Sequence, residues 1–161
     1  MVENITKEVI FNLLAGLCDP EIPVVTIEEM GMLRDAIIHD DRVDIIITPT
    51  YTGCPAMGII EQDILTTLNN FGIANVNVKT IYSPAWTTDW MTDATKEKLR
   101  QYGIAPPSGT CSSAFVNTPE VACPQCASTN THLISQHGST ACKALYKCGD
   151  CQEPFDYFKC H

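Results

Sequence analysis

Residues 42–55 read Arg42-Val43-Asp44-Ile45-Ile46-Ile47-Thr48-Pro49-Thr50-Tyr51-Thr52-Gly53-Cys54-Pro55. Ile45-Ile46-Ile47 has no polar alternation, so the run predicts a strand covered on both faces. A proline suits the first turn of a helix, and Ile60, Ile64, Leu68 and Phe71 then recur at helical spacing before Gly72 stops the run. The stretch is therefore a buried strand, a tight turn and a helix, with Cys54 at the predicted helix start. A thiol there faces free N–H groups and the positive helix end, which favour thiolate. A buried structural cysteine at a tight turn fits the same position equally well.

The neighbouring segments complete a small domain. Upstream, Ile5, Val9, Ile10, Leu13, Leu14 and Leu17 share a helical face, with Asn4 as the expected N-cap. Asp19-Pro20-Glu21-Ile22-Pro23 ends that helix, because its two prolines hold the chain extended or turning. Asp19 and Glu21 are candidate oxygen ligands or bases to accompany Cys54. Leu33–His39 and Arg42–Thr50 form a predicted hairpin through Asp40-Asp41, with His39 as a strand-end residue. Downstream, Val76–Tyr82 reads as a third strand, Pro84–Trp90 as a loop and Thr92–Tyr102 as a polar helix ending at Gly103. Trp86 and Trp90 suit either the core or a partner-facing patch. The fold class is α+β: an α-β-β-α-β domain with a mixed sheet, followed by a second module.

That second module announces itself through cysteine. The 161-residue chain has nine, and seven of them follow residue 109. Cys123-Pro124-Gln125-Cys126 and Cys148-Gly149-Asp150-Cys151 are two CxxC pairs separated by 21 residues. Two CxxC turns aim four thiolates at one ion, the tetrahedral S₄ set of a zinc ribbon. Iron in the same cage is the alternative. The segment is too small for much core, so metal binding would supply its folding free energy. Thr131–Gln136 and Thr140–Lys147 read as strands around His137-Gly138, and Phe155–Cys160 as the next. With a hairpin centred near Cys151, Cys142 and Cys160 fall opposite each other. They are then either two small buried residues or a cross-strand dithiol able to oxidise or to hold a second metal with His161. Cys18 and Cys111 have no assigned role.

Ile104–Glu120 holds three prolines and several Ser and Thr residues. The expected organisation is residues 1–105 as the α+β domain, 106–120 as a linker and 121–161 as the zinc ribbon. Charge divides similarly: residues 1–109 carry 15 acids and 7 bases, and residues 110–161 carry 4 and 3. A net charge of -9 argues against nucleic acid as a partner. No apolar stretch is long enough to cross a membrane. The N-terminus has no secretory h-region, and the odd cysteine count precludes full internal pairing. A cytoplasmic location follows as the expectation, where paired cysteines read as metal ligands or reactive thiols.

Asp19-Pro20-Glu21-Ile22-Pro23 with Thr48–Pro55 resembles the small domain of SufT-type iron–sulfur assembly factors. Over residues 5–161, including Pro84–Met91, Ser139–Tyr146 and Glu153–Cys160, the chain resembles the D subunits of the bacterial phenylacetyl-CoA epoxidase (ring 1,2-epoxidase) system of phenylacetate degradation. This resemblance implies an accessory or maturation role within an oxygenase system and leaves open whether the chain has an activity of its own. The partners it implies are the oxygenase and reductase subunits. The implied cofactors are Zn²⁺ at Cys123, Cys126, Cys148 and Cys151, and a transient iron or iron–sulfur species. Cys54 matches the family's cysteine of the small domain. A bridging component of the oxygenase complex and a general iron–sulfur assembly factor are the alternatives; a thiol enzyme lacks an obvious His partner for Cys54.

Overall fold

A computed structural model describes residues 4–107 and 120–161 of the chain. The elements in order are α1 (Lys7–Leu14), β1 (Leu33–Ile38), β2 (Val43–Ile47), α2 (Met57–Asn70), β3 (Val76–Thr80), a 3₁₀ turn (Thr88–Trp90), α3 (Asp93–Tyr102), β4 (Ile104–Ala105), β5 (Thr131–Ser135), β6 (Lys143–Cys148) and β7 (Pro154–Phe158). The chain divides into two compact units between Trp86 and Thr87.

The first unit is built on a mixed sheet in the order β1-β2-β3, with β1 antiparallel and β3 parallel to β2. All five residues of β2 are buried, as the unbroken apolar run predicts. Helix α1 packs on α2 and β1, and α2 packs on β3. The buried side chains Ile10 and Leu14 of α1, and Ile60, Ile64 and Leu68 of α2, fall at the predicted i, i+4 spacing. The N-cap of α1 is Thr6 rather than Asn4: its Oγ1 accepts the Val9 N–H at 3.3 Å. Thr is a favoured cap and sits closer to the first buried residue, Ile10.

Strand β2 carries one charge into the interior. The Asp44 side chain is 2% exposed and accepts hydrogen bonds from Lys79 (2.7 Å), Arg42 (3.2 Å) and Asn77 (3.2 Å), with His39 Nε2 at 3.1 Å. The Lys79 hydrogen bond, reinforced by Asn77, His39 and Arg42 against the cost of burial, holds this carboxyl well below the usual range. The node joins β2 to β3 and to the β1–β2 hairpin end.

The second unit has a sheet in the order β4-β7-β6-β5. β4 follows α3 directly and pairs parallel with β7, Ile104 opposite Asp156 and Ala105 opposite Tyr157. Packing therefore groups α3 and β4 with the ribbon strands, at the end of the segment read from sequence as the α+β domain. Tyr146 stacks on Phe155 (6.0 Å between centroids) and meets Tyr157 edge-on (5.5 Å). These rings, with Val121, Cys123, Ala144 and Cys148, make a small core that reaches the metal-ligand cysteines.

Candidate metal centre and the Cys54 turn

Two CxxC turns converge in the second unit. Cys123 and Cys151 bring their sulfurs to 3.7 Å, and Cys126 and Cys148 to 3.6 Å. All four sulfurs lie within 4.8 Å of one another. Zn–S bonds of about 2.3 Å in a regular tetrahedron place sulfurs about 3.8 Å apart, so the donor set fits a four-thiolate metal site. Local backbone explains the convergence. The Ala127 N–H donates to the Cys123 carbonyl (2.9 Å), and the Cys148 N–H to the Glu153 carbonyl (2.9 Å). The residue after each pair, Ala127 (φ 60°) and Gln152 (φ 65°), takes the left-handed conformation and turns the chain away. The backbone N–H groups of Cys151 and Asp150 point at the Cys148 sulfur, and with the neighbouring sulfurs they draw its thiol down to about 7 despite burial. Cys123 and Cys148 are buried, whereas Cys126 and Cys151 are exposed.

The pairing of β6 with β7 moves the leftover cysteines apart. Lys143 stands opposite Phe158, and the Lys159 N–H bonds the Cys142 carbonyl at 3.0 Å. Cys142 therefore faces Lys159, one residue away from the expected Cys160. The slip arises because Cys148 bonds Glu153 and Gln152 turns left-handed, which shifts the hairpin centre off Cys151. Cys142 is a buried, reduced thiol, and Cys160 is disulfide-bonded, so the two do not share a bond. Nor do they form a second metal set with His161. Among the described residues, the ribbon tetrad is the only group of three or more His, Cys, Asp or Glu ligands within that spacing. His161 instead directs Nδ1 to the Lys159 carbonyl at 2.9 Å. Cys111 lies outside the described residues.

In the first unit, β2 delivers the chain into the Thr48–Pro55 turn. The Thr48 N–H bonds the Met32 carbonyl (2.8 Å), the Ile81 N–H bonds the Ile47 carbonyl (2.9 Å), and the Cys54 N–H closes a turn on Tyr51 (3.2 Å). Gly53 has φ +85°, a conformation that a side chain would strain. Cys54 is 9% exposed, and its carbonyl accepts the Met57 N–H at 3.4 Å. Helix α2 begins at Met57, later than Pro55 implies, so Cys54 sits in the turn that leads into the helix rather than in its first turn.

Asp19 is buried and uses Oδ1 to hold the Asp19–Pro23 turn, accepting the N–H groups of Glu21 (2.7 Å) and Ile22 (3.2 Å). Glu21 is half-buried. Asp19, Glu21 and Cys54 do not assemble into a compact three-ligand set. A cavity of about 80 Å³ adjoins the turn, lined by Thr48–Thr52, Tyr82, Ala85 and Trp86. The Thr48 hydroxyl is buried there without a hydrogen-bond partner. Trp86 is buried, and its indole N–H donates to the Met30 carbonyl at 2.7 Å, which assigns it to the core rather than to an exposed patch. The Asp44 node escaped the sequence reading; its signal was a lone carboxylate inside Val43–Ile47.

Comparison with known proteins places both units. Residues 7–79 match the family described as iron-sulfur cluster assembly protein, and residues 107–159 match the PaaD zinc beta ribbon domain. A protein of Escherichia coli (strain K12), named as the putative D subunit of 1,2-phenylacetyl-CoA epoxidase, is 51% identical over 94% of this chain and 91% of its own length. The chain belongs to the family of phenylacetyl-CoA epoxidase D subunits. Against this family's two-part organisation, other relatives match less of the chain. The Fe-S protein maturation auxiliary factor YitW of Bacillus subtilis (strain 168) is 30% identical over 61% of this chain and 97% of its own. The solved structure of a conserved hypothetical protein from Thermotoga maritima is 30% identical, with a TM-score of 0.53, and covers 62% of this chain and 98% of that one. The match described as a zinc ribbon, residues 107–159, lies outside residues 7–79, which match the iron-sulfur cluster assembly family.

Proposed function

We propose that this protein is an accessory maturation factor of a multicomponent phenylacetyl-CoA epoxidase in aerobic phenylacetate catabolism, and that it assists assembly of an iron or iron–sulfur cofactor in a partner protein. The observation that carries this reading is the presence, in one chain of the D-subunit family, of an iron–sulfur assembly domain with Cys54 at its strand-to-helix turn and a separate four-cysteine cluster. Two relatives of the first domain are named as Fe-S protein maturation auxiliary factors, which supports the same assignment. The partners are the oxygenase and reductase subunits, and the site of action is the cytoplasm. Seven of the eight described cysteines are outside any disulfide, Cys160 being the exception, and no helix among the described residues is long and apolar enough to cross a membrane.

The two metal sites have different jobs. Cys123, Cys126, Cys148 and Cys151 hold Zn²⁺ permanently and shape the ribbon. Cys54 holds iron or an iron–sulfur species only in transit. With Asp19 committed to its own turn and no compact ligand cage around Cys54 among the described residues, the remaining ligands come from the client, which lets the cargo leave. Glu21, the more exposed acid, is the candidate for a transient contact.

Co-expression of the Cys54→Ala variant with the other epoxidase components tests this. The expected result is a folded variant, an intact complex, and partners that purify with less iron and less epoxidase activity. Partners with full iron content would overturn the reading. For the ribbon, elemental analysis should give about one zinc per chain; iron in its place would change the metal and leave the architecture standing.

A further inference from the structure

A hydrogen-bonded link joins the two cysteine pairs from outside. Both carboxylate oxygens of Asp150, which lies between Cys148 and Cys151, are engaged by the segment that follows Cys126. Ser128 Oγ donates to Oδ2 (2.5 Å), and Asn130 Nδ2 donates to Oδ1 (2.9 Å). Ser128 Oγ also accepts the Asn130 N–H (3.1 Å), and the Asn130 carbonyl accepts the Gly149 N–H (2.7 Å). The Ser128 carbonyl accepts the Cys123 N–H at 2.8 Å, which ties the same segment back to the first pair. A Cβ at position 149 would lie 2.6 Å from Asn130 Nδ2, so a side chain there would push the Asn130 amide out of its place.

Each end of the link also directs a backbone N–H at one of the sulfurs. The N–H of Ser128 points at the Cys126 sulfur and the N–H of Asp150 at the Cys148 sulfur. A side-chain bond between Ser128 and Asp150 thus fixes, at once, the separation of two N–H···S contacts from different cysteine pairs. These two sulfurs are 3.6 Å apart, one edge of the tetrad.

We propose that Asp150 and Ser128 are positioning residues for the four-thiolate site, forming a clasp that retards metal release by holding the two cysteine pairs at their ligating separation. The proposal rests on the reading of the tetrad as a zinc site. For an ion to leave, one CxxC turn must swing away, and the clasp opposes that swing without touching the ion. Partners beyond the ligands commonly change metal affinity by about 10–100-fold.

The test uses the full chain loaded with Zn²⁺ and follows metal transfer to a chromophoric chelator. Asp150→Ala should release zinc about 10–100-fold faster than the parent protein, while its Co²⁺-substituted form keeps the same tetrahedral absorption spectrum. Asp150→Asn, which retains an acceptor for Ser128, should show a smaller acceleration. Adding Ser128→Ala to Asp150→Ala should change the rate little further, because both residues act through one link. Glu97→Gln, which removes an exposed carboxylate bonded to Arg100 on α3, should release at the parent rate. A folded Asp150→Ala protein that releases zinc at the parent rate would overturn the clasp and leave the zinc site intact, as would equal acceleration by Glu97→Gln. A parent chain that takes up no zinc would overturn both.

Discussion

The two units solve the same problem, how to hold a cysteine in place, by opposite means. In the first, apolar residues do the work: β2 is buried along its length and α2 closes over it through Ile60, Ile64 and Leu68. Cys54 is an accessory of that core, presented on a turn that would exist without it. In the second, the cysteines are the framework. Its apolar cluster is small, and two of the cluster's members, Cys123 and Cys148, are themselves members of the tetrad.

Metal removal should break the comparison most visibly. Chelation under reducing conditions is expected to abolish hydrogen-exchange protection in β5–β7 while leaving β1–β3 protected. Equal protection of both units after complete zinc removal would deny the ribbon its metal dependence. A core truncation should do the reverse. Ile64→Ala is expected to cost about 2–5 kcal/mol in the first unit by urea denaturation, with zinc content unchanged. Little loss would mean that α2 does not anchor the Cys54 turn.

Acid should sharpen the contrast further. The lowered folded pKa of Asp44 means that its stabilisation is fully present above its unfolded value, about 3.9, and is lost as pH falls through the folded value. Asp44→Asn should therefore be less stable than the parent at neutral pH, and the two stability curves should approach each other on the acid limb. Parallel curves down to the acid transition would show that the Lys79, Arg42 and His39 contacts carry little stability. The smallest effect expected is that of Thr6→Ala, about 1 kcal/mol from the lost cap of α1, seen as a modest fall in thermal midpoint.

Much of this contrast was legible in the residues. Helical spacing marked α1 and α2, the isoleucine run marked β2 as covered on both faces, and the CxxC spacing marked the tetrad. What escaped depended on backbone details that residue types leave open. The β6–β7 register turned on the left-handed Gln152, a non-glycine residue that gives no warning, and one residue of slip moved Cys142 from Cys160 to Lys159. β4 is two residues long and precedes a proline pair, so it reads as linker until β7 is placed beside it. Pro55 suggested a helix start that Met57 supplies instead. The Ser128–Asp150 link joins positions 22 residues apart, and only the folded hairpin brings them together.

The division of labour between the units is tested most directly by turnover of oxygenase and reductase subunits that were matured with this protein, purified fully metal-loaded, and then assayed with and without it. On the proposed maturation role, the protein is expected to be dispensable at that stage: epoxidation proceeds at the same rate in its absence. A requirement for it in every turnover would contradict the account and make it a working component of the oxygenase.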